Sequence, residues 1–258
     1  MIEAPAANAW YVYGVVPADA PVPAGASDVR LIRHGPLAAI AGEVPLAEFD
    51  EHVLPERLND RTWVEEKARA HEDVLRAFVD VAPVAPLRFG TIYRDVDDVR
   101  RLLDTRGESF AATLERVRGR VELGVKAWVD RPRSGRAVAG GEAPAAAGGG
   151  RAYLERRRSE LAAARDASVR AAEVARAAHE RLLAVAADGV VNRPQPRELT
   201  GRRDDMLLNA AYLVERDDTA LVAEVERLAA EHADAGVTFE VTGPWPPYNF
   251  ARDGEDAA

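Results

Sequence analysis

The first part of the chain mixes segments with the two-residue period of a strand and segments with the 3.6-residue period of a helix. The segment AWYVYGVV is rich in aromatic and β-branched residues and ends at Pro17, which predicts a strand. The stretch from Thr62 opens with the capping-box spacing Thr62-x-x-Glu65 and continues with apolar residues three and four positions apart, which predicts an amphipathic helix. In chain order, the predicted elements are a strand at 9–16, a hairpin at 29–33 and 37–44, a helix at 62–80, an extended segment at 84–93 and a helix at 95–118 that breaks at Gly107. They predict an N-terminal α+β domain, residues 1–118.

The second part repeats this mixture in a recognisable order. Residues 132–150 are mostly Gly, Ala and Pro and predict a mobile loop, whereas residues 151–188 contain neither Pro nor Gly and predict one long helix. In chain order, the predicted elements are a strand at 121–129, this helix, a short strand at 190–191, a strand at 206–215, a helix at 219–233 that Gly236 stops and a strand at 237–242. The order βαββαβ predicts a ferredoxin-like second domain, residues 119–258, with four antiparallel strands covered by two helices on one face. The predicted fold class is therefore α+β, with two domains.

Charge and cysteine content narrow the classes of function. The 258 residues include 43 acidic against 34 basic side chains, a net charge of −9, so nucleic acid is not an expected partner. Cysteine is absent and the N-terminus lacks a signal-peptide pattern, which predicts a cytoplasmic location. No apolar run approaches the roughly 20 residues of a bilayer span, so no membrane span is predicted.

The residue patterns of common enzymes are missing. The sequence contains no H-E-x-x-H, G-x-S-x-G, P-loop or G-x-G-x-x-G motif, and its five histidines are scattered, so no catalytic residue, metal site or cofactor is predicted. One alternative stays open. Arg131, Arg133 and Arg136 flank Ser134-Gly135, and such a loop would cradle a small anion in a ferredoxin-like enzyme or ligand-sensing module. The low complexity of the segment favours a solvated linker instead.

Two short segments are candidates for partner binding or domain packing. In PLRFGT, Leu87 and Phe89 are apolar anchors on either side of Arg88, whose guanidinium would reach a carboxylate or carbonyl, and Gly90 is a further candidate residue of this motif. The alternative is a buried Arg88 that ties the two domains together. In the C-terminal GPWPPYNF, three prolines stiffen the chain and three aromatic rings are costly to expose, so packing on its own domain is favoured over contact with a partner. The candidate residues there are Trp245, Pro246, Pro247, Tyr248 and Phe250.

These segments resemble the GvpL/GvpF family of gas vesicle proteins. FEVTGPWPPYNF resembles the C-terminal signature of that family, and PLRFGT resembles its central motif. The further matches are the opening WYVYGVV, the helix that carries His71, VELGVKAW, GRAYLERR and NAAYLVER. The resemblance therefore runs nearly end to end, and the Gly/Ala/Pro insert before Gly150 is its least similar part.

The resemblance implies a non-catalytic accessory or minor structural protein of the gas vesicle. Such a protein contacts the small hydrophobic shell protein GvpA, and other accessory proteins of the vesicle, and assists nucleation and assembly by limiting GvpA aggregation. The resemblance also implies two domains, the second a modified ferredoxin fold, and a location at the gas vesicle. The residues agree with this class, because stiff aromatic segments on an acidic chain without reactive groups suit an apolar protein partner.

Overall fold

The computed structural model describes residues 8–26, 28–49, 52–129, 150–195, 201–202 and 204–251. The chain divides into two compact units, of which the first comprises residues 1–123, 213–217 and 243–258 and the second comprises 124–212 and 218–242. Two late segments therefore belong to the first unit, whereas the sequence assigned every residue after 118 to the second domain.

The first unit contains a five-stranded sheet. Its strands are β1 (Asn8–Pro17), β2 (Val29–His34), β3 (Leu37–Pro45), β4 (Ala85–Pro86) and β5 (Ile92–Tyr93). The order is β2-β3-β1-β4, β5 also pairs with β1, and all the pairings are antiparallel. The predicted first strand and hairpin are present, and Pro86 lies on an end strand, as expected of a residue without an N–H group.

Among the described residues before 119, the helices of this unit are α1 (Leu46–Phe49), α2 (Leu54–Asn59), α3 (Arg61–Val79), α4 (Val96–Thr105) and α5 (Gly107–Arg116). The predicted break at Gly107 separates α4 from α5. The predicted capping box of α3 is wrong, because the Asp60 carboxylate accepts hydrogen bonds from the backbone N–H groups of Thr62 (3.0 Å) and Trp63 (3.2 Å). Glu65 instead pairs with Arg61 one turn before it. An aspartate one residue before the helix satisfies the same orphan donors.

Two apolar clusters pack against β1. Val12 and Val15 belong to one, which α4 and α5 complete with Val99, Leu103, Phe110 and Leu114. Tyr11 belongs to the other, together with Phe49 and Trp63. The side chains of neighbouring strand residues point to opposite faces of the sheet, so Tyr11 and Val12 belong to different clusters, as expected. The register shifts between Val12 and Gly14, which lets Val12 and Val15 share one cluster although they are three positions apart.

From residue 120 onward, the described part of the chain contains a second sheet and two α-helices. They are β6 (Arg120–Val129), α6 (Gly150–Leu183), β7 (Asp188–Val191), β8 (Asp205–Glu215), α7 (Ala220–His232) and β9 (Val237–Trp245), and the strand order is β7-β8-β6-β9. The long helix predicted at 151–188 is present and ends at Leu183. Its C-terminal end contacts α7 in the second unit, where Ala178 and Leu182 are buried and Arg181 pairs with Glu224 and Glu231 at 2.6 Å each. Gly236, at φ 70°, follows the turn after α7, as the sequence predicts.

The predicted loop at 132–150 lies outside the described residues except for Gly150, and so do Arg131, Arg133 and Arg136. Within the described ranges, no helix is long and apolar enough to span a membrane. In the same ranges, no group of three or more His, Asp or Glu side chains is placed to hold a metal ion.

Candidate functional site

The two candidate segments meet at one histidine of the first unit. His71 lies on α3, is 4% exposed, and has the Phe89 ring of PLRFGT 6.1 Å away, edge to face. The Tyr248 ring of the C-terminal segment stacks on the same imidazole at 6.3 Å and 23°. The sequence identified the two segments separately, and the fold brings a ring of each into contact with a single side chain.

A hydrogen-bond relay reaches this histidine from the PLRFGT loop. The Gly90 N–H donates to the Tyr11 hydroxyl oxygen at 2.9 Å, and that hydroxyl is 2.9 Å from His71 Nδ1. The Tyr11 proton is free to point to Nδ1, an arrangement in which the imidazole proton is on Nε2. His71 Nε2 is buried and has no hydrogen-bond partner in the part of the chain that the structure describes.

Burial keeps both relay groups uncharged. It raises the pKa of the Tyr11 hydroxyl to about 12, so this group remains a donor at neutral pH. It also lowers the pKa of His71 to about 4, although the Leu87 backbone opposes this shift. His71 is therefore a neutral imidazole at pH 7. A positive charge here would have to be desolvated between the rings of Phe89 and Tyr248.

The backbone of PLRFGT is held to β1 on both sides of its turn. The Leu87 N–H donates to the Tyr13 carbonyl and the Val12 N–H donates to the Thr91 carbonyl, both at 2.9 Å. The Thr91 hydroxyl closes the turn by donating to the Arg88 carbonyl at 2.7 Å. Gly90 adopts a φ of 81°, a left-handed conformation that other residues rarely adopt. The loop therefore presents its side chains from a fixed backbone.

The side chains of this loop divide between core and surface. Leu87 packs against the cluster that contains Val12, and Phe89 packs against the cluster that contains Tyr11. Both remain half-buried, and Arg88 between them is exposed. The alternative of a buried Arg88 is wrong, because its two neighbours occupy the inward positions and leave the guanidinium at the surface.

The C-terminal segment is anchored to the first unit by polar contacts. The Glu122 carboxylate, 5% exposed as a residue, accepts from the Asn249 N–H at 2.9 Å and from Asn249 Nδ2 at 2.6 Å. The Tyr248 hydroxyl donates to Glu72 at 3.1 Å, and burial together with this carboxylate raises the Tyr248 pKa. The Arg76 guanidinium lies 4.4 Å from the centre of the Trp245 ring. The partners of this segment thus belong to α3 and to the start of β6.

Burial of the segment differs along its length. Phe250 is 1% exposed, Pro246 and Pro247 are buried, and Trp245 and Tyr248 are half-buried. The sequence favoured packing on the C-terminal domain. In the structure, Glu122, the partner of Asn249, lies within the C-terminal domain predicted at 119–258, whereas Glu72, the partner of Tyr248, lies outside it; both partners belong to the first unit. The buried residues of the segment are thus Pro246, Pro247 and Phe250, whereas in the PLRFGT loop the exposed residue is Arg88, between two half-buried apolar neighbours.

The sequence missed Tyr11 and Glu122 as parts of this site. Glu122 lies in a strand whose alternation assigns it to the polar face, yet both Val121 and Glu122 are buried. Tyr11 lies in an apolar strand, where an aromatic residue is expected to pack. No pattern in the neighbouring sequence marks either residue as part of the site, because the polar groups that each one bonds to lie far away along the chain.

Comparison with known proteins decides the family. Residues 9–252 match the family model described as gas vesicle synthesis protein GvpL/GvpF. The chain belongs to this family. It is 42% identical to gas vesicle protein L of Streptomyces sp. (strain CB03234) over 95% of this chain and 94% of that protein. It is 32% identical to gas vesicle protein F of the same strain over 94% of this chain and 99% of that one.

The GvpL/GvpF fold is also found among solved structures. The crystal structure of the gas vesicle protein GvpF from Anabaena sp. PCC7120 matches 96% of this chain and 97% of its own, with a TM-score of 0.66 and 18% identity. The crystal structure of GvpF from Microcystis aeruginosa matches 95% and 99%, with a TM-score of 0.61 and 17% identity. Family membership supports a gas vesicle-related role for the chain, in a family of structural and accessory proteins that is not known for enzymatic activity.

Proposed function

We propose that this GvpL/GvpF chain binds the hydrophobic gas vesicle shell protein GvpA and assists the nucleation and assembly of the shell. By covering apolar surface of the shell protein, it limits aggregation before the subunits assemble. The observation that carries the proposal is the PLRFGT loop, which presents exposed Arg88 between half-buried Leu87 and Phe89 on a fixed backbone. Other accessory proteins of the vesicle are further partners, and the gas vesicle in the cytoplasm is the proposed location.

A rigid loop of this composition suits protein binding. Arginine and aromatic residues are enriched among the side chains that dominate interface energies. The relay through Tyr11 and the hydrogen bonds to β1 order the loop before the partner arrives, so little entropy is lost on binding. The partner is apolar, so buried area supplies most of the affinity and the guanidinium of Arg88 supplies orientation.

We also infer that the second unit is ferredoxin-like. The order βαββαβ and the strand order β7-β8-β6-β9, in which the first and third strands are central, support this inference. The shell-binding loop then belongs to the first of two domains.

Co-purification of the shell protein with the full chain, over a series of salt concentrations, tests the proposal. We expect binding to persist at about 0.5 M salt, where exposed charge pairs are largely screened. Arg88→Ala should weaken binding about tenfold, a typical cost for an interface arginine. Arg61→Ala is the matched control, because Arg61 is an exposed arginine of α3 outside the loop. Absence of wild-type binding, or its complete loss at a few tenths molar salt, would contradict the proposal.

A further inference from the structure

A groove of about 250 Å³ opens beside the PLRFGT loop in the first unit. Its apolar lining comes from Leu87, from Tyr93 at the end of β5 and from Leu102 of α4, all of them half-buried. Arg88 and Arg106 also line it. The groove therefore combines apolar surface with two guanidinium groups, one of them from the loop that carries the proposed function.

The charge of this lining is opposite to that of the whole chain. The chain carries a net charge of −9, yet none of the described residues that line the groove is an aspartate or a glutamate. Arg106 lies between α4 and α5, and its backbone N–H donates to the Leu102 carbonyl at 3.0 Å. Its guanidinium lies 5.0 Å from the centre of the Phe110 ring, which restricts its orientation. A guanidinium held in this way fits a carboxylate or a phosphate, and of these two groups a carboxylate is the one that the side chains of a protein segment supply.

The volume of the groove indicates what kind of ligand fits. Small-molecule sites usually enclose about 300–1,000 Å³, so a groove of about 250 Å³ is small for a whole cofactor. At about 30 Å³ per water molecule, it corresponds to about eight waters, which is the space of one or two amino-acid side chains. A protein segment that inserts one apolar side chain matches this size.

We propose that the groove binds a segment of the shell protein that presents an apolar side chain next to a carboxylate. The apolar side chain packs against Leu87, Tyr93 and Leu102, and the carboxylate accepts hydrogen bonds from Arg106 and Arg88. This inference rests on the proposed function, since it names the surface and the segment through which the shell protein is bound. The carboxylate adds orientation to a contact that is otherwise apolar.

Affinity measurements on single variants of the full chain provide the first test. We expect Arg106→Gln to weaken binding of the shell protein about tenfold, and Arg106→Lys to weaken it less, because lysine keeps the charge and loses the bidentate geometry. Arg100→Gln is the control, since Arg100 is an exposed arginine of α4 that pairs with Asp97 outside the groove. Urea unfolding of each variant shows whether the loss of contact with Phe110 changes the fold.

Site-specific cross-linking provides a test that does not depend on the stability of a variant. A photo-reactive residue in place of Leu102 should cross-link to one shell segment that contains Asp or Glu beside a large apolar residue. The same group in place of Leu58, an exposed leucine outside the groove, should not. Exchange of that shell carboxylate for lysine should weaken binding to the wild-type chain and restore binding to Arg106→Glu.

The outcomes separate the two proposals. If the wild-type chain binds the shell protein but Arg106→Gln binds as tightly, the groove is not the contact and the proposed function stands. Three cross-linking results would also contradict the groove proposal. These are cross-links to many shell segments, to a shell segment without a carboxylate, or to residues 252–258 of this chain. If the wild-type chain does not bind the shell protein, both proposals fail.

Discussion

His71 is neutral because it is buried, and this neutrality allows it to lie between an aromatic ring from each candidate segment. One nitrogen is satisfied by Tyr11, and the rings of Phe89 and Tyr248 lie within 6.3 Å of the imidazole. Protonation would place a positive imidazolium charge next to two aromatic rings, neither of which carries a negative charge to balance it. The terminal segment and the PLRFGT loop are therefore coupled through a group whose charge depends on pH.

We predict that the stability of the protein falls as pH decreases, partly through His71. The pKa of His71 is about 4 in the folded state and 6.5 when exposed, so between these values the unfolded state binds more protons. The stability contributed by neutral, buried His71 is fully present above pH 6.5 and is lost as pH falls towards 4. At 1.36 kcal/mol per pKa unit, it amounts to about 3 kcal/mol of unfolding free energy. Urea unfolding of the wild-type chain and of His71→Gln at pH 7, 6, 5 and 4.5 measures it.

The variant should show a smaller loss of stability over this range, because glutamine does not titrate. Leu58→Ala, at an exposed residue without a titratable group, is the control and should keep the wild-type slope. Equal slopes for the wild-type chain and His71→Gln would show that burial of His71 does not contribute to acid sensitivity.

Phe250 and Trp245 should differ in their contribution to stability. Phe250 is 1% exposed, so Phe250→Ala should cost about 3–5 kcal/mol of unfolding free energy, as expected for an emptied aromatic site. Trp245 is half-buried and stacks on Arg76, so Trp245→Ala should cost only about 1–2 kcal/mol. Urea unfolding of both variants, with Val22→Ala at an exposed position as control, makes the comparison. A Phe250→Ala variant as stable as the wild type would mean that the segment is not part of the core.

Among the individual elements, α6 forms one continuous helix, but of its described side chains only those in the C-terminal part pack against the rest of its unit. All the described side chains from Glu155 to Arg170 are exposed, whereas Ala178 and Leu182 are buried in the second unit. The N-terminal part has few apolar contacts and depends on alanine-rich helix propensity. The C-terminal part is also held by packing and by the ion pairs of Arg181.

Two identical substitutions in α6 should therefore have different effects. Ala178→Gly should lower the free energy of unfolding by about 1–2 kcal/mol, through lost propensity and lost burial. Ala163→Gly, at an exposed position of the same helix, should change it by less than about 0.5 kcal/mol, because that part of the helix opens locally before global unfolding. Urea unfolding, combined with hydrogen exchange of amides 155–170 and 174–183, tests this. Equal protection of the two stretches would indicate that a second molecule covers the exposed part.

At the scale of the whole molecule, the two units differ in the sites that the structure describes. The first contains the His71 relay, the PLRFGT loop, the C-terminal anchor and the groove with Arg106. The Gly/Ala/Pro-rich insert with Arg131, Arg133 and Arg136, which the sequence offered as an alternative anion-binding loop, belongs to the second unit. The proposed binding function therefore depends on the first unit, and the insert can be removed to test the alternative.

Deletion of residues 134–148 should leave stability and gas vesicle assembly unchanged. The segment contains almost no large apolar residue, and shortening a loop changes its closure entropy only weakly. Thermal unfolding of the purified variant and vesicle formation in cells that carry it measure the two properties. Loss of assembly with an unchanged midpoint would favour a functional role for the deleted segment, which contains Ser134, Gly135 and Arg136.

Most of the secondary structure was determined by the sequence itself. The strand before Pro17, the hairpin, the break at Gly107 and the long helix each follow from patterns that extend over a few neighbouring residues. The α+β class and the gas vesicle family were also predictable, the first from these patterns and the second from PLRFGT and the C-terminal motif. Local periodicity determines such features because it depends on which faces of one element are apolar.

Only the tertiary structure decided what the two candidate segments contact. Asn249 reaches Glu122 across 127 residues, and Tyr248 reaches Glu72 across 176. These pairings anchor the C-terminal segment in the first unit and hold Glu122 buried on the supposedly polar side of its strand. No window of sequence contains both members of such a pair. The partner of a buried polar group is set by which distant elements share a core, and that depends on the packing of the whole unit.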